Sequence, residues 1–420
     1  MPSDTDAEAL EEPDPLLRPA WEDIPDETDA DLGRGPSAAA TRQAAPVGTA
    51  VRPAGADWPD LLGPLCDATD ALARLDARAA AAAENIRAGL VARMAFAEAA
   101  GWLAHAHAWV HPLDLCLRDL GLTGSTALTA TGSGRKVLPH TFREAGGGKD
   151  WDDPTFDAMA DGDRVVADAL AFARRLRRLA GDRGKTAFGS AMAAAETFSS
   201  IGAGWLDPAA FTAWWTEHAR MPASQYRHRG AGEGASPPLP PLLAAAWAAA
   251  AWMEAGITAH PAPRVALFTA VALLTRTGPA RAVFVPVWAA FPAVGFGDRD
   301  ALPTLRTDAA TRLVGWGRPV TWPIAFLHLV AEGVRAGLRE LDRLEAAAGN
   351  GREVVSGCDK RSRLPDTLDA LLRVPALTPK ALAARLKIAP QTGTALLREL
   401  QAKGIVREVT GRGSFRAFAV

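Results

Sequence analysis

The feature that most constrains the fold is a change of hydrophobic period at Gly404. Before it, Leu397 and Leu400 recur at the spacing of one helix face, and after it residues 405–410 alternate as in an extended strand. Glycine adopts the left-handed conformation that follows many helices, so Gly404 is expected to end the helix. A second alternating stretch, residues 415–419, follows a Gly-Arg-Gly turn, and together the two stretches predict a β-hairpin.

Two more helices are predicted ahead of this helix and hairpin. Residues 365–374 show a leucine-lined helical face. Thr378 is a good N-cap and Pro379 suits the first helical position, which predicts the start of a second helix. Residues 387–390 form a tight turn before a third helix, residues 391–403. The order helix, helix, turn, helix, hairpin predicts a winged helix-turn-helix domain.

The predicted partner of this domain is duplex DNA. A helix fits the major groove, where each base pair presents a distinct edge, so we expect the third helix to lie there. Its predicted outward residues are types that hydrogen bond to bases or phosphates: Gln391, Thr392, Thr394 and Arg398. Basic residues of the turn, the helix end and the hairpin are expected to neutralise phosphates: Lys387, Lys403, Arg407, Arg412 and Arg416. The alternative is a winged domain that contacts protein.

The distribution of charge favours a polyanionic partner for the C-terminal domain. Residues 1–35 carry twelve acidic residues against two arginines, whereas residues 351–420 carry thirteen basic residues against six acidic ones. The net charge of the whole chain is only −2. A basic C-terminal region on a neutral chain is typical of nucleic-acid binding, although a solvated surface would have the same composition.

The rest of the chain is predicted to be helical. We predict a disordered acidic leader over residues 1–56, a helical domain of unknown function over 57–348, a linker over 349–363 and the winged domain over 364–420. Helical periodicity is found in residues 65–83, 86–110, 163–180, 190–201, 211–218, 242–256, 262–275 and 323–348. No convincing alternating stretch precedes residue 400. The predicted fold class is mainly α: a multi-helix domain followed by a winged helix-turn-helix with a short β-hairpin.

The cysteines and the N-terminus indicate the cytoplasm. Cys66, Cys116 and Cys358 lie far apart and form no CxxC pair, which argues against a disulfide framework or a zinc finger. The first twenty residues lack the apolar core of a signal peptide. The most apolar stretch, residues 265–274, is about half the roughly twenty residues that a membrane-spanning helix needs.

Two stretches resemble an alphaproteobacterial, rhizobial-type family of often plasmid-borne proteins. The first runs from the Ala-Arg-Met-Ala-Phe-Ala-Glu-Ala of residues 92–99 to the Val-His-Pro-Leu-Asp-Leu of residues 110–115. The second is the ending, residues 397–418. The resemblance implies an uncharacterised helical domain followed by a helix-turn-helix DNA-binding domain. The ending also resembles the winged tail of many Fic-domain proteins, but the Gly-Asn-Gly-Arg at 349–352 is far from His111-Pro112, so nucleotidyl transfer is not supported.

The sequence does not argue for an enzyme, a cofactor or a metal. Gly184-Lys185-Thr186 lacks the earlier glycine and the preceding strand of a phosphate-binding loop. His107, His111 and Asp114 are spaced as successive helical turns and would allow a metal site, but surface or core histidines are the favoured interpretation. The basic stretch 174–178 is interpreted as a solvated face rather than a nucleic-acid patch. Tryptophans 214, 215, 247 and 252 are assigned to the core.

The leading hypothesis is a cytoplasmic DNA-binding protein that regulates transcription. Its helical domain would dimerise or take a small ligand or protein partner, and homodimerisation is expected because such domains gain affinity on paired half-sites. The alternative hypothesis is a protein-interaction module, in plasmid maintenance or as the partner of a toxin. A third, an enzyme housed in the helical domain, would require a deep pocket with convergent polar groups.

Overall fold

The structure is a computed structural model that describes residues 58–105, 110–122, 156–181, 207–218, 240–258, 263–277, 279–290, 310–311, 320–359, 361–410 and 416–420. Residues Ala50–Val420 belong to one compact unit. The predicted acidic leader, residues 1–56, lies outside the described residues.

Within the described residues the fold is mainly helical, as predicted, with eleven α-helices and two antiparallel ladders. The part before residue 357 contains α1 (Trp58–Ala81), α2 (Glu84–His105), α3 (Pro112–Asp119), α4 (Phe156–Gly181), α5 (Pro208–His218), α6 (Pro241–Glu254), α7 (Pro263–Thr277), the 3₁₀-helix Trp288–Ala290, β1 (Ala310–Thr311), β2 (Val320–Thr321) and α8 (Trp322–Ser356). The C-terminal part contains α9 (Leu364–Leu372), α10 (Pro379–Leu386), α11 (Pro390–Ala402), β3 (Arg407–Glu408) and β4 (Phe418–Ala419).

The 35-residue helix α8 is the central element of the helical domain. It packs along α1 and also contacts α2, α6 and α9. Its first half is apolar on most sides and buried, as at Phe326, Leu327 and Val330. Its second half buries only one stripe, which includes Leu341 and Leu344. The helix therefore begins in the core and continues along the surface as an amphipathic helix.

Helix α6 is apolar all round and is covered by α5 and α7. Trp252 of α6 is fully buried, and its ring meets that of Trp214 edge-on with 4.9 Å between centroids. The indole N–H of Trp214 donates to the Ala248 carbonyl over 3.0 Å. Trp215 is also buried and Trp247 is half-buried. The prediction that these four tryptophans belong to the core is confirmed.

A fully buried carboxylate, Glu98 of α2, holds the segment that contains the 3₁₀-helix. Its Oε1 accepts the backbone N–H groups of Val287 (2.8 Å) and Ala289 (2.7 Å), and its Oε2 accepts that of Trp288 (2.9 Å). Burial raises the pKa of Glu98 to about 7, although these three hydrogen bonds act to lower it. The side chain thus supplies partners for three N–H groups that the irregular backbone cannot pair itself.

Two predicted helix ends are wrong. The helix predicted over residues 86–110 ends at His105, and Val110 and His111 are not helical. Pro112 disfavours the helical conformation in the residue before it and instead starts α3, which was not predicted. The helix predicted to end at Gly349 continues to Ser356. The first half of the predicted linker, residues 349–363, is therefore helical.

The other differences from prediction are smaller. The segment before residue 400 contains the short ladder of β1 and β2, with Ala310 paired to Thr321 and Thr311 to Val320, although no strand was predicted there. The helix predicted over residues 190–201 and the phosphate-loop candidate at 184–186 lie outside the described residues. No helix among those described combines the length and the hydrophobicity needed to cross a bilayer.

Candidate DNA interface

The second helix of the C-terminal domain, α10, begins as its sequence predicts. The Thr378 hydroxyl accepts the backbone N–H of Ala381 over 3.1 Å, and Pro379 occupies the first turn. Helix α10 ends at Lys387, whose φ of 54° and ψ of 47° place it in the left-handed region. This conformation turns the chain sharply, and α11 starts three residues later at Pro390. The predicted helix-turn-helix is therefore present.

Helix α11 has a buried face and an exposed polar face. Leu397 and Leu400 are fully buried, whereas Gln391, Thr392 and Arg398 are exposed. At 100° per residue, Gln391 and Arg398 lie within about 20° of each other on the side opposite the leucines. Thr394 is half-buried, and its hydroxyl donates to the Pro390 carbonyl over 3.1 Å. Of the four predicted base-contacting residues, Gln391, Thr392 and Arg398 are therefore exposed on α11, whereas Thr394 lies beside the buried face.

The hairpin after α11 is present but shorter than predicted. Gly404 has a φ of 72° and ends α11 as expected. Arg407 pairs with Ala419 and Glu408 with Phe418 in an antiparallel ladder of two residues on each strand. Leu377, ahead of α10, adds an isolated bridge to Phe418, which was not predicted. The two strands of the wing and the bridge at Leu377 therefore form one small sheet, and this sheet attaches the residues just before α10 to the wing.

The predicted phosphate-contacting residues differ in their surroundings. Lys387 is exposed in the turn before α11. The Lys403 ammonium lies 3.9 Å from the Glu399 carboxylate. The Arg416 guanidinium lies 3.5 Å from the Glu408 carboxylate. Arg407 is exposed and lines a cavity on the side of the helical domain. Arg412, at the predicted tip of the wing, lies outside the described residues.

The C-terminal domain packs against the helical domain through α9 and the inner face of the hairpin. Val409, Ala417 and Ala419 belong to the same buried cluster as the core of the helical domain. Val406 and Phe418, on the opposite face of the hairpin, belong to the separate core of the C-terminal domain. Both faces of the hairpin carry buried apolar residues, which is more than a solvent-exposed wing needs and is a signal in the sequence for this packing. The outer face of α11 remains exposed.

A buried arginine, which the sequence did not single out, connects the two parts. Arg93 of α2 is 8% exposed and its Nη1 donates to the carbonyls of Gly89 (3.2 Å) and Leu372 (3.1 Å), the last residue of α9. Its Nε lies 3.1 Å from Glu340 of α8. A Cβ atom on Gly89 would lie 1.9 Å from the Leu372 oxygen, so α2 and α9 approach this closely because residue 89 is glycine.

Of the three residues whose spacing allowed a metal site, the structure describes His111 and Asp114, and these two do not lie on successive turns of one helix. His111 lies outside any helix, and its Nδ1 accepts the backbone N–H of Leu113 over 3.2 Å as the N-cap of α3. His107 is outside the described residues. Among those described, no group of three or more histidine, cysteine, aspartate or glutamate residues is placed to hold a metal ion. In the basic stretch, Arg174 pairs with Asp119 over 2.6 Å.

Comparison with known proteins agrees with this geometry. Residues 364–420 match a family described as HTH DNA binding domain. An uncharacterized protein of Sinorhizobium fredii (strain NBRC 101917 / NGR234), y4cF, is 27% identical over 214 residues, which are 51% of this chain and 50% of that protein. The chain thus spans about half the length of the curated relative that it matches. The two matches confirm the C-terminal helix-turn-helix DNA-binding domain and the resemblance to a rhizobial protein.

Proposed function

We propose that the protein is a cytoplasmic transcription regulator that binds a specific site on duplex DNA, as a homodimer, with α11 in the major groove. The observation that carries the proposal is the outer face of α11. Gln391 and Arg398 are exposed there, opposite the buried leucines, and Thr392 is exposed beside them, in a domain that matches a DNA-binding family. Glutamine and arginine have the hydrogen-bonding groups that distinguish base pairs in this groove.

The packing of the domain supports the same role. The helical domain covers α9 and the inner face of the hairpin, so it leaves the face of α11 that would meet DNA uncovered. The exposed Lys387 precedes α11 and is placed to neutralise a phosphate beside the groove. All three cysteines are free thiols, which suits a reducing compartment. In this proposal the helical domain has a binding role rather than a catalytic one.

The first experiment is selection of duplexes from a random DNA library by the purified full-length protein at physiological salt. We expect enrichment of an inverted repeat whose half-sites lie one helical turn, about 10–10.5 base pairs, apart. Enrichment of a single unrepeated motif would remove the dimer from the proposal and keep sequence-specific binding. Folded protein that enriches no motif would overturn the proposal and favour a protein-interaction module.

The role of α11 is tested with Arg398→Ala on the selected duplex. Loss of a base contact is expected to weaken binding by about 1–3 kcal/mol and to relax the preference at one base position. Arg352→Ala is the matched control, because Arg352 is also an exposed helical arginine but lies on α8, outside the DNA-binding domain. Equal affinity and an unchanged site preference for Arg398→Ala and Arg352→Ala would show that α11 does not contact bases through Arg398.

A further inference from the structure

A cavity of about 300 Å³ lies where the hairpin of the C-terminal domain meets the helical domain. Helices α2 and α8 form one side of it, and Arg407 and Ala419 of the paired strands contribute to the other. Most of its lining residues are apolar, among them Phe96 and Leu113. The volume is at the lower end of the range for small-molecule sites, which is about 300–1,000 Å³.

The charged residues in the lining are out of balance. Three guanidinium groups line the cavity, those of Arg93, Arg343 and Arg407, against two negative groups, the Glu340 side chain and the main-chain carboxylate of Val420. The same oxygen of Glu340, Oε1, lies 3.1 Å from Arg93 Nε and 3.0 Å from Arg343 Nη2. One side-chain carboxylate therefore serves two cations, and the lining as a whole holds three guanidinium groups against two carboxylates.

Arg93 carries a further sign of an incomplete site. Its Nη2 is buried and has no hydrogen-bond partner among the described residues. Burial lowers the pKa of Arg93 to about 10, and the nearby charge of Arg343 acts in the same direction. A buried donor without a partner costs about 1–3 kcal/mol, and more when the group is charged. An anion bound at this cavity would reduce the electrostatic part of that cost.

We propose that the cavity binds a small organic carboxylate with an apolar body. Guanidinium groups bind carboxylates with charge-assisted hydrogen bonds, and the excess of arginine over acid at this cavity selects an anion over a neutral molecule. The apolar lining, with Phe96 and Leu113, selects a hydrocarbon body over a second charged group. The ligand class is thus a monocarboxylate of the size of an aromatic or medium-chain acid.

A regulatory consequence rests on the function proposed above. Arg407 lines the cavity and is also a predicted phosphate contact, so a bound carboxylate and a DNA phosphate compete for the same guanidinium. Arg93 bonds the end of α9 from the same cavity, which ties the site to the DNA-binding domain. Occupancy is therefore expected to weaken the affinity for duplex DNA by about fivefold or more.

The test uses the full-length protein and isothermal titration calorimetry with three acids, benzoate, phenylacetate and hexanoate. Their neutral amides, benzamide, phenylacetamide and hexanamide, are the matched probes. At least one acid is expected to bind one site per chain with a Kd of about 1 mM or tighter, and its amide about tenfold more weakly or not at all. Thermal melting checks that each preparation is folded.

Two variants on α8 distinguish binding at the cavity from a general effect of removing an exposed arginine. Arg343 is 62% exposed and Arg339 is also exposed, so neither substitution is expected to disturb folding, but only Arg343 lines the cavity. Arg343→Gln should weaken binding of the acid about tenfold, whereas Arg339→Gln should leave it unchanged. The proposal is overturned if no acid binds, if acid and amide bind equally, or if Arg343→Gln binds as the unaltered protein does.

The two proposals fail in different ways. If the protein binds an acid but selects no DNA motif, the proposed transcription regulator is wrong and the proposed carboxylate site is supported. If the protein selects a DNA motif but binds none of the acids, the carboxylate site is wrong and the regulator is supported. An acid that binds with the predicted dependence on Arg343 but leaves DNA affinity unchanged would remove only the competition for Arg407.

Discussion

The buried Glu98 carboxylate gives the stability of the protein a pH dependence that can be worked out in advance. Burial raises the pKa of Glu98 from its ordinary value of 4.5 to about 7. Between these two values the folded state holds a proton that the unfolded state has released, so the free energy of unfolding falls as pH rises. One pKa unit corresponds to 1.36 kcal/mol, and a shift of about 2.5 units therefore removes about 3 kcal/mol between pH 4.5 and 7.

The assay is urea unfolding of the unaltered protein and of Glu98→Gln at several pH values from 4.5 to 7.5. Glu98→Gln is expected to be less stable at pH 4.5 and to lose the Glu98 part of the pH dependence. The difference in unfolding free energy between the two proteins should therefore shrink by about 3 kcal/mol towards pH 7. Glu353→Gln, which removes the carboxylate of an exposed residue of α8, is the control for the loss of one acidic group elsewhere on the protein.

A difference in unfolding free energy that grows with pH would refute this reasoning, and it would identify the hydrogen bonds to Glu98 as the reason. Glu98 accepts three backbone N–H groups, and hydrogen bonds to a carboxylate favour the ionised form. If these bonds outweighed the cost of burial, the pKa would lie below 4.5, and the difference between the two proteins would grow with pH. A difference that stays constant from pH 4.5 to 7.5 would show that the two effects cancel.

Two further predictions concern the C-terminal domain and its attachment. Gly349→Ala should raise the free energy of unfolding by about 0.5–1 kcal/mol, because a Cβ there meets nothing within 4 Å. Gly89→Ala should lower it by about 1–3 kcal/mol, because its Cβ would lie 1.9 Å from the Leu372 carbonyl oxygen. Urea unfolding measures both, and equal effects would contradict the packing of α2 on α9. Thr378→Ala should lower the free energy of unfolding by about 1 kcal/mol, because it removes the hydroxyl that accepts the Ala381 N–H. Thr378→Ser keeps a hydroxyl and should retain most of the stability. Identical melting temperatures for the two variants would show that the hydroxyl does not act as the cap.

Local signals predicted the helix-turn-helix because they arise from neighbouring residues. The cap at Thr378, the glycine after α11 and the leucine stripe of Leu397 and Leu400 act within one or two turns of chain, so they are visible in the sequence and present in the structure. The end of α8 could not be predicted from signals in neighbouring residues. Glycine commonly follows the last residue of a helix, but α8 continues past Gly349 to Ser356 and contacts α9, which lies later in the chain.

The contacts between the two parts of the molecule could not be predicted from local patterns. Arg93 meets the carbonyl of Leu372, 279 positions away, and nothing in the residues around either one marks the pair. Glu98 is similar, because its three partners come from a segment between residues 275 and 323, where no helical periodicity was found. The available signal was the position of Arg93 and Glu98 within an apolar helix. Burying either charge is costly unless other groups pair with it, so the two residues indicate that partners come from elsewhere in the chain.

The continuity of α8 has a consequence for the spacing of the DNA sites. The helix is about 52 Å long at 1.5 Å per residue and runs from the helical core to the packing surface of α9, so the DNA-binding domain is held at a fixed orientation. If the interface of the proposed homodimer is equally rigid, two recognition helices lie at one separation and one angle. A single base pair inserted between the half-sites rotates one of them by about 35° around the duplex axis. A dimer with this rigidity therefore tolerates one spacer length, and its binding sites in a genome would share that length more strictly than they share sequence.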